Sequence, residues 1–263
     1  MEPIKDIDGE GGTGQAVPHQ IEVDGEFADN VQALVDEGQR GMVLNLVADL
    51  HAADLGRLLE HLTVERARTL FLWLSTEQGG DVLPELEDDF RAALLEEVRS
   101  ERISALIDEM DTDDAADVLA DLPDEVVVEV LPALEDKDEL AELLAYDEES
   151  AGGIMGTEFV AVPMEWSVEQ ATEQVRREAE HVEPIYAVFV LDEGERLAGG
   201  VSLKRLLLSR PHALMGDVMD TDDLAVEASV DQEEVARLME RYDRVSLPVV
   251  DVERRVIGRI TID

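Results

Sequence analysis

Between Asp231 and Asp263 the apolar positions change period. Val235, Leu238, Met239 and Tyr242 recur at i, i+3, i+4 and i+7, which gathers them into one stripe of an α-helix. Ser246–Asp251 and Val256–Ile262 are short apolar runs of strand type, separated by the polar turn Val252–Arg255. The same order of helix, strand, turn and strand occurs upstream. Val188–Asp192 and Arg196–Ser202 stand 59 residues before Leu247–Asp251 and Arg255–Thr261, and Met155–Val162 stands 64 residues before Met219–Val226. The first copy therefore carries five additional residues between its helix and its hairpin. A unit this small cannot bury its own sheet, so the two copies are expected to pack on each other.

From Phe27 to about Tyr146 only the helical period appears. Val31, Leu34 and Val35 mark one helix, and Met42, Leu46 and Leu50 support the next. Asp54–Glu65 is echoed 60 residues later by Asp114–Glu125, and an apolar segment follows each (Leu70, Leu72 and Trp73; Val127, Val130 and Leu131). Pro123 is expected to open a helix, where its missing N–H costs nothing. Helical hairpins in series predict a curved solenoid in which each repeat buries its neighbour. Residues 1–26 hold five of the eighteen glycines and no period, and read as an unstructured tail. The expected division is a tail over 1–26, a helical domain over 27–145, and α/β units over 146–210 and 211–263.

A short strand, a Ser or Asp opening a helix, a strand of Pro-Val-Val-Asp type, a turn and a G-x-(I/V)-(S/T) strand occur twice in register. This pattern resembles the CBS domain, which occurs as tandem pairs. With a helical solenoid before it and the junction Tyr146-Asp-Glu-Glu-Ser-Ala-Gly-Gly-Ile-Met155, residues 27–263 resemble the cytosolic portion of the MgtE family of magnesium channels. Gly156 departs from the family, which usually has Thr directly after the Met. The resemblance implies a multidomain α and α+β fold: an all-α superhelical, solenoid-like N domain followed by a tandem CBS (β-α-β-β-α) pair. It also implies a homodimer through the CBS domains, on the cytoplasmic side of a membrane. The first copy continues past Ser202 into an amphipathic segment, Leu203–Ser209, whereas the second has two residues after Thr261. A closing helix and a membrane pore domain are therefore expected to follow in the full-length chain.

Composition changes the picture through charge. Sixty-four acidic residues against 21 basic give a net charge of −43, a field that repels nucleic acid and anionic membrane surfaces and attracts cations. The three lysines, Lys5, Lys137 and Lys204, and the acidic excess equally suit a protein solvated at high salt. The absence of cysteine excludes disulfides and argues against zinc or iron–sulfur centres. There is no run of 18 apolar residues, and Met1–Gln20 lacks the regions of a signal peptide. His19, His51, His61, His181 and His212 are isolated from any nucleophile, so no catalytic centre is expected.

Asp113, Asp117 and Asp121 are spaced by four, on the face opposite Ala115, Val118, Leu119 and Leu122. Like charges at this spacing cost a helix about 0.2–0.5 kcal/mol per pair, with no base nearby in the sequence to relieve them. Glu233, Glu240 and Asp243 share a sector opposite Val235, Leu238 and Tyr242. Asp231 with Glu234 makes a capping-box arrangement, and Glu233–Arg237 and Glu240–Arg244 are possible i,i+4 pairs. Spacing alone leaves both a solvated face and an ion site open. The resemblance points to the ion: Asp113 and Asp117 match the acidic helix of the family's N domain, and Asp231, Glu233 and Asp243 match its magnesium-binding carboxylates. Gly153 and Glu240 match positions that offer main-chain oxygens. Hard oxygen donors without cysteine suit Mg²⁺ or Ca²⁺ over transition metals.

The leading expectation is a Mg²⁺ sensor that gates a channel, the ion bridging the acidic faces of the two domains. An adenine-nucleotide sensor is the first alternative. In nucleotide-binding CBS domains an acidic residue three after the Ser or Thr of the last strand holds the ribose, and Arg205 stands there after Ser202. A halophilic scaffold without specific ion sites is the second.

Overall fold

The computed structural model describes residues 23–179, 181–182, 184–221 and 225–262. The helical part runs through α1 (Gly25–Asp36), α2 (Arg40–Val47), α3 (Ala52–His61), α4 (Val64–Phe71) and α5 (Thr76–Val82). It continues through α6 (Asp88–Leu95), α7 (Ser100–Ile107), α8 (Thr112–Ala120), α9 (Asp124–Val130) and α10 (Lys137–Leu143). Helices two apart in sequence stack on each other: α3, α5, α7 and α9 form one row, and α4 with α6 and α8 with α10 belong to the other. Such i,i+2 stacking is the expected superhelix. The 60-residue echo joins α3 to α8, which sit in opposite rows, so it reports a shared amphipathic pattern rather than the stacking period.

One local expectation needs correction. Helix α1 begins at Gly25, inside the stretch expected to lack structure, because Asp24 caps it by accepting from the Phe27 N–H at 2.8 Å and Ala28 and Val31 are buried. Residues 1–22 lie outside the described residues. Pro123 opens α9 as expected, from the N-cap position; its carbonyl takes the Val127 N–H at 3.1 Å. The close rows have a steric basis at Gly79, where a Cβ would lie 2.6 Å from Leu106 Cδ2 of α7.

The α/β part contains β1 (Ala161–Pro163), α11 (Val168–Glu178), β2 (Ala187–Leu191), β3 (Leu197–Ser202), α12 (Leu203–Leu208) and α13 (Met215–Val218). The second copy is β4 (Val226–Glu227), α14 (Gln232–Tyr242), β5 (Ser246–Val250) and β6 (Val256–Thr261). Each copy makes a three-stranded sheet, parallel then antiparallel, with Val188 opposite Val201 and Leu247 opposite Ile260. The hairpins turn by one device: Asp192 Oδ1 accepts from the N–H groups of Gly194 and Arg196, and Asp251 Oδ1 from those of Glu253 and Arg255. Glu195 and Arg254, at matching positions, take φ of 61° and 63°.

The copies exchange their leading segments. Ala151 and Gly152, ahead of the first copy, donate to the carbonyls of Val230 and Ala228 in the second, and Gly156 exchanges both backbone bonds with Arg259 on β6. In return Met215 and Gly216 donate to Trp166 and Met164 in the first copy, and Asp220 exchanges both bonds with Gly200 on β3. Glycine is required at the crossings. A Cβ on Gly199 would lie 2.4 Å from the Asp220 carbonyl oxygen, and one on Gly258 would lie 2.8 Å from that of Gly156. The hydrophobic core follows the exchange. Ala151 and Met155 join Val235, Met239, Leu247 and Ile260 in one cluster with the helical domain, while Val162, Val188, Val201 and Leu206 form a separate core in the first copy.

Candidate ion-binding site between the helical domain and the repeat pair

Helix α8 buries Ala115, Ala116, Val118 and Leu119 and turns its aspartates outward. Its own N-cap residue, Asp111, makes no side-chain cap bond. The cap comes from the junction: Glu158 Oε1 accepts from the Thr112 N–H at 3.0 Å and Glu158 Oε2 from the Thr112 hydroxyl at 3.1 Å. Thr157 donates its N–H to Thr112 Oγ1 at 2.9 Å and its hydroxyl to Glu139 of α10. Asp113 lies beside this knot. A Cβ on Gly156 would be 3.3 Å from Asp113 Oδ1 and 3.1 Å from Glu158 Oε2, so two carboxylates flank that glycine.

Burial raises the Glu158 carboxyl above the ordinary range; its bonds to backbone N–H groups and to Thr112 lower it, and Asp113 raises it. Asp117 is open to solvent on its outer side, yet it too is raised. Desolvation by the surrounding protein is the largest cause there; Arg91 acts against it, and Asp113, Asp121 and Asp88 act with it. The acidic ladder is thus less uniform than its spacing suggests. The buried Arg91, 30 residues before Asp121, binds Asp121 through Nε at 2.8 Å and Asp88 through Nη2 at 3.0 Å. The base that the local sequence lacked is supplied by α6.

On the other side of the junction, Asp231 caps α14 by accepting from the Glu233 N–H at 2.9 Å, one residue short of the capping-box geometry. Its backbone bridges to Ser150, and the Gln232 N–H donates to the Glu149 carbonyl. Gly153 closes a turn by donating to the Ser150 carbonyl at 2.9 Å; a Cβ there would lie 2.3 Å from the Asp147 carbonyl oxygen, so no other residue fits. Glu233 pairs with Arg237 at 2.6 Å as expected. Arg244 turns instead to Asp220 at 3.8 Å and leaves Glu240. The Glu240 main-chain oxygen accepts from the Asp243 N–H at 3.4 Å, and Asp243 ends the helix in the left-handed conformation with φ 51°.

The seven sequence-predicted residues therefore fall into three places. Asp113 and Asp117 lie on α8 with Glu158 beside them; Asp231, Glu233 and Gly153 lie around the start of α14; Glu240 and Asp243 lie at its other end. At 1.5 Å per residue the two ends of α14 are roughly 18 Å apart, too far to share an ion. Among the described residues no three His, Asp or Glu side chains are close enough together to hold a metal ion by themselves. Sequence reasoning missed Glu158 because its role depends on a contact 46 residues away.

A second feature lies between the two sheets. Ala187 and Phe189 of β2 and Ser246 and Pro248 of β5 line a cleft of about 110 Å³, with Gly200, Ser202 and Asp220 on one side. Arg205 and Arg244 also face it.

Residues 50–149 match the family model of the MgtE intracellular N domain, and residues 151–211 and 215–263 match the CBS domain. The magnesium transporter MgtE of Thermus thermophilus is 42% identical over 125 residues, 48% of this chain and 28% of that protein. That of Bacillus subtilis is 28% identical over 232 residues, 88% of this chain and 51% of that protein. The chain thus spans 28% to 51% of the length of these relatives. A crystal structure of the cytosolic domain of the Mg²⁺ channel MgtE in complex with ATP superposes with a TM-score of 0.84 at 32% identity, covering 90% of this chain and 97% of that one. The soluble part of a magnesium transporter superposes with a TM-score of 0.79 at 28% identity, covering 90% and 94%. With its solenoid, junction and exchanged repeats all accounted for, the chain belongs to the MgtE family, of which it carries the intracellular N domain and the CBS pair.

Proposed function

We propose that this chain is the Mg²⁺-sensing regulatory region of a magnesium transporter, in which ions held between the helical domain and the CBS pair favour the closed pore. The observation that carries this reading is the junction Ser150–Glu158. One end is bonded to the start of α14 and the other to the start of α8, so the acids of both helices flank a single short segment. Two carboxylates about 5 Å apart repel by roughly 3 kcal/mol at an effective dielectric near 20. A divalent cation between them reverses the sign, and it shifts the equilibrium by its differential affinity for the docked state. Asp113 and Asp117 would hold ions from the helical side. Asp231, Glu233 and the Gly153 carbonyl would hold them from the pair, with a separate location at Glu240 and Asp243. Carboxylate and carbonyl oxygens suit Mg²⁺, which keeps much of its water and needs few protein ligands per ion.

In this reading the chain works on the cytoplasmic side of a membrane, joined to the pore domain of its full-length protein, and acts by binding rather than by catalysis. It pairs with a second copy through the CBS domains. Leu207 and Leu208 of α12, 69% and 78% exposed, supply apolar surface for such a partner. Small-angle scattering at constant ionic strength tests the mechanism. The radius of gyration should fall on adding Mg²⁺, and an unchanged value would reject it.

A second, compatible reading concerns the cleft between the sheets. Arg205 and Arg244 converge there in a strongly acidic chain, and an MgtE relative has been crystallised with ATP. Arginine in place of a ribose-binding acid favours recognition through phosphates, weaker than in CBS domains that grip the sugar. Equilibrium dialysis with ATP should give binding that Arg205→Ala lowers.

A further inference from the structure

Because the two halves of the pair repeat at offsets of 59 and 64 residues, most of the cleft between the sheets can be compared with its own counterpart. Ala187 and Phe189 correspond to Ser246 and Pro248, 59 positions on, and all four line the open cleft. Gly200 and Ser202 correspond to Arg259 and Thr261, Asp220 to Gly156, and Arg244 to Ile185. The counterpart cleft therefore lies between β6 and the segment that leads into β2. The backbone there is equivalent. Gly200 exchanges bonds with Asp220 at 3.2 and 2.8 Å, and Arg259 exchanges them with Gly156 at 2.8 and 2.9 Å. The side chains are not equivalent. Arg259 is only 7% exposed, and its guanidinium crosses to donate to the carbonyl of Pro184, next to Ile185. The gap that lies open between Gly200 and Arg244 in one half is spanned by a side chain in the other.

We propose that Arg259 is an internal occupant of the second cleft, so that the pair accepts one phosphate-bearing ligand per chain, in the Gly200 cleft. A buried guanidinium keeps its donors satisfied, and Arg259 commits its head to a backbone carbonyl of the opposite repeat. A ligand could enter only by rotating that side chain out and leaving the Pro184 carbonyl unpaired, which costs a buried acceptor its bond. The inference rests on the second reading given above and deepens it: the difference between Gly200 and Arg259 sets the stoichiometry.

Equilibrium dialysis of the 263-residue chain with ATP provides the test. Wild type should bind one ATP per chain, and Arg205→Ala with Arg244→Ala should weaken that binding by about tenfold or more. Gly200→Arg copies the second cleft into the first and should abolish binding while the melting transition is kept. Arg259→Gly, where its melting transition shows it folded, should raise the capacity to two. Wild-type binding of two ATP, retention of binding by Gly200→Arg, or a folded Arg259→Gly that still binds one would each overturn the inference alone. No binding by wild type would reject the cleft as a phosphate site, and the inference with it.

Discussion

Helices α8 and α14 both start with aspartate against the same junction, yet they meet it differently. α14 supplies its own cap, Asp231, and its acids face water, with Glu233 paired to Arg237. α8 borrows its cap from Glu158, and that borrowed carboxylate sits beside Asp113 with its proton affinity raised by burial. On α8, Asp117 is desolvated by the protein around it, and Asp113 stands beside the junction carboxylate Glu158, so the cost of charge at Asp113 depends on where the junction lies. The dependence on arrangement is what a sensor requires.

The contrast places the largest effect on α8. Asp113→Asn with Asp117→Asn should abolish most of the Mg²⁺-induced decrease in radius of gyration, and leave the ion-free form more compact than wild type. Neutralising Glu233 on α14 should leave more of the response in place. Equal losses from the two helices would mean that they respond to the ion alike.

Glu158 gives a sharper comparison, because cap and charge can be separated. Glu158→Ala removes the acceptor for the Thr112 N–H and should lower stability by about 1 kcal/mol. Glu158→Gln keeps an acceptor and removes the repulsion with Asp113, so it should raise the melting temperature at neutral pH. A drop for both variants would mean that the carboxylate charge itself holds the domains together.

The pH dependence has a definite sign. Asp117 and Glu158 both have raised carboxyl pKa values in the fold, so the native state binds protons more tightly than the unfolded chain does. Stability is then full below the ordinary carboxylate values and falls as pH rises through the raised ones. Asp36 and Asp192, lowered chiefly by hydrogen bonds from Arg66 and from backbone N–H groups, act oppositely at exposed positions away from α8. Melting curves in chelator should show wild type losing stability as pH rises above the ordinary carboxylate range, and Asp117→Asn losing less. Parallel slopes would contradict the assignment.

The smallest effect belongs to the far end of α14. Asp243 holds a left-handed conformation that glycine adopts without strain. Relief of that strain outweighs the added freedom of glycine in the unfolded chain, so Asp243→Gly should stabilise the chain slightly while weakening ion binding at that end. Isothermal titration beside thermal melts would reveal whether stability and binding move in opposite directions, as they should if the aspartate is kept for its carboxylate.

Much of this was legible in the sequence because it depends on local period. The stripe at Val235, Leu238 and Met239, the paired hairpins at their 59-residue offset, and the acidic face of α8 are all statements about near neighbours. What escaped was set by contacts with no periodic signature. Arg91 neutralises Asp121 from 30 residues away, and Thr112 finds its acceptor 46 residues on. The exchange of leading segments rests on single bridges such as Gly156 with Arg259, where one pair of backbone bonds leaves no pattern to read. Arg259 itself was visible as a departure from the repeat, arginine where the first copy has glycine, but its meaning required seeing Pro184 opposite.

That exchange also determines how a displacement would travel. Leaving the helical domain, the chain is fastened first to the second repeat, at Val230 and then at Arg259, and only afterwards enters the first. Followed along the backbone from α10, a displacement therefore meets β6, about a hundred residues further on in sequence, before it meets β1. The order in which the strands are reached is thus not their order in the chain, and the knot at Thr112, Thr157 and Glu158 is where the solenoid takes hold of the first repeat.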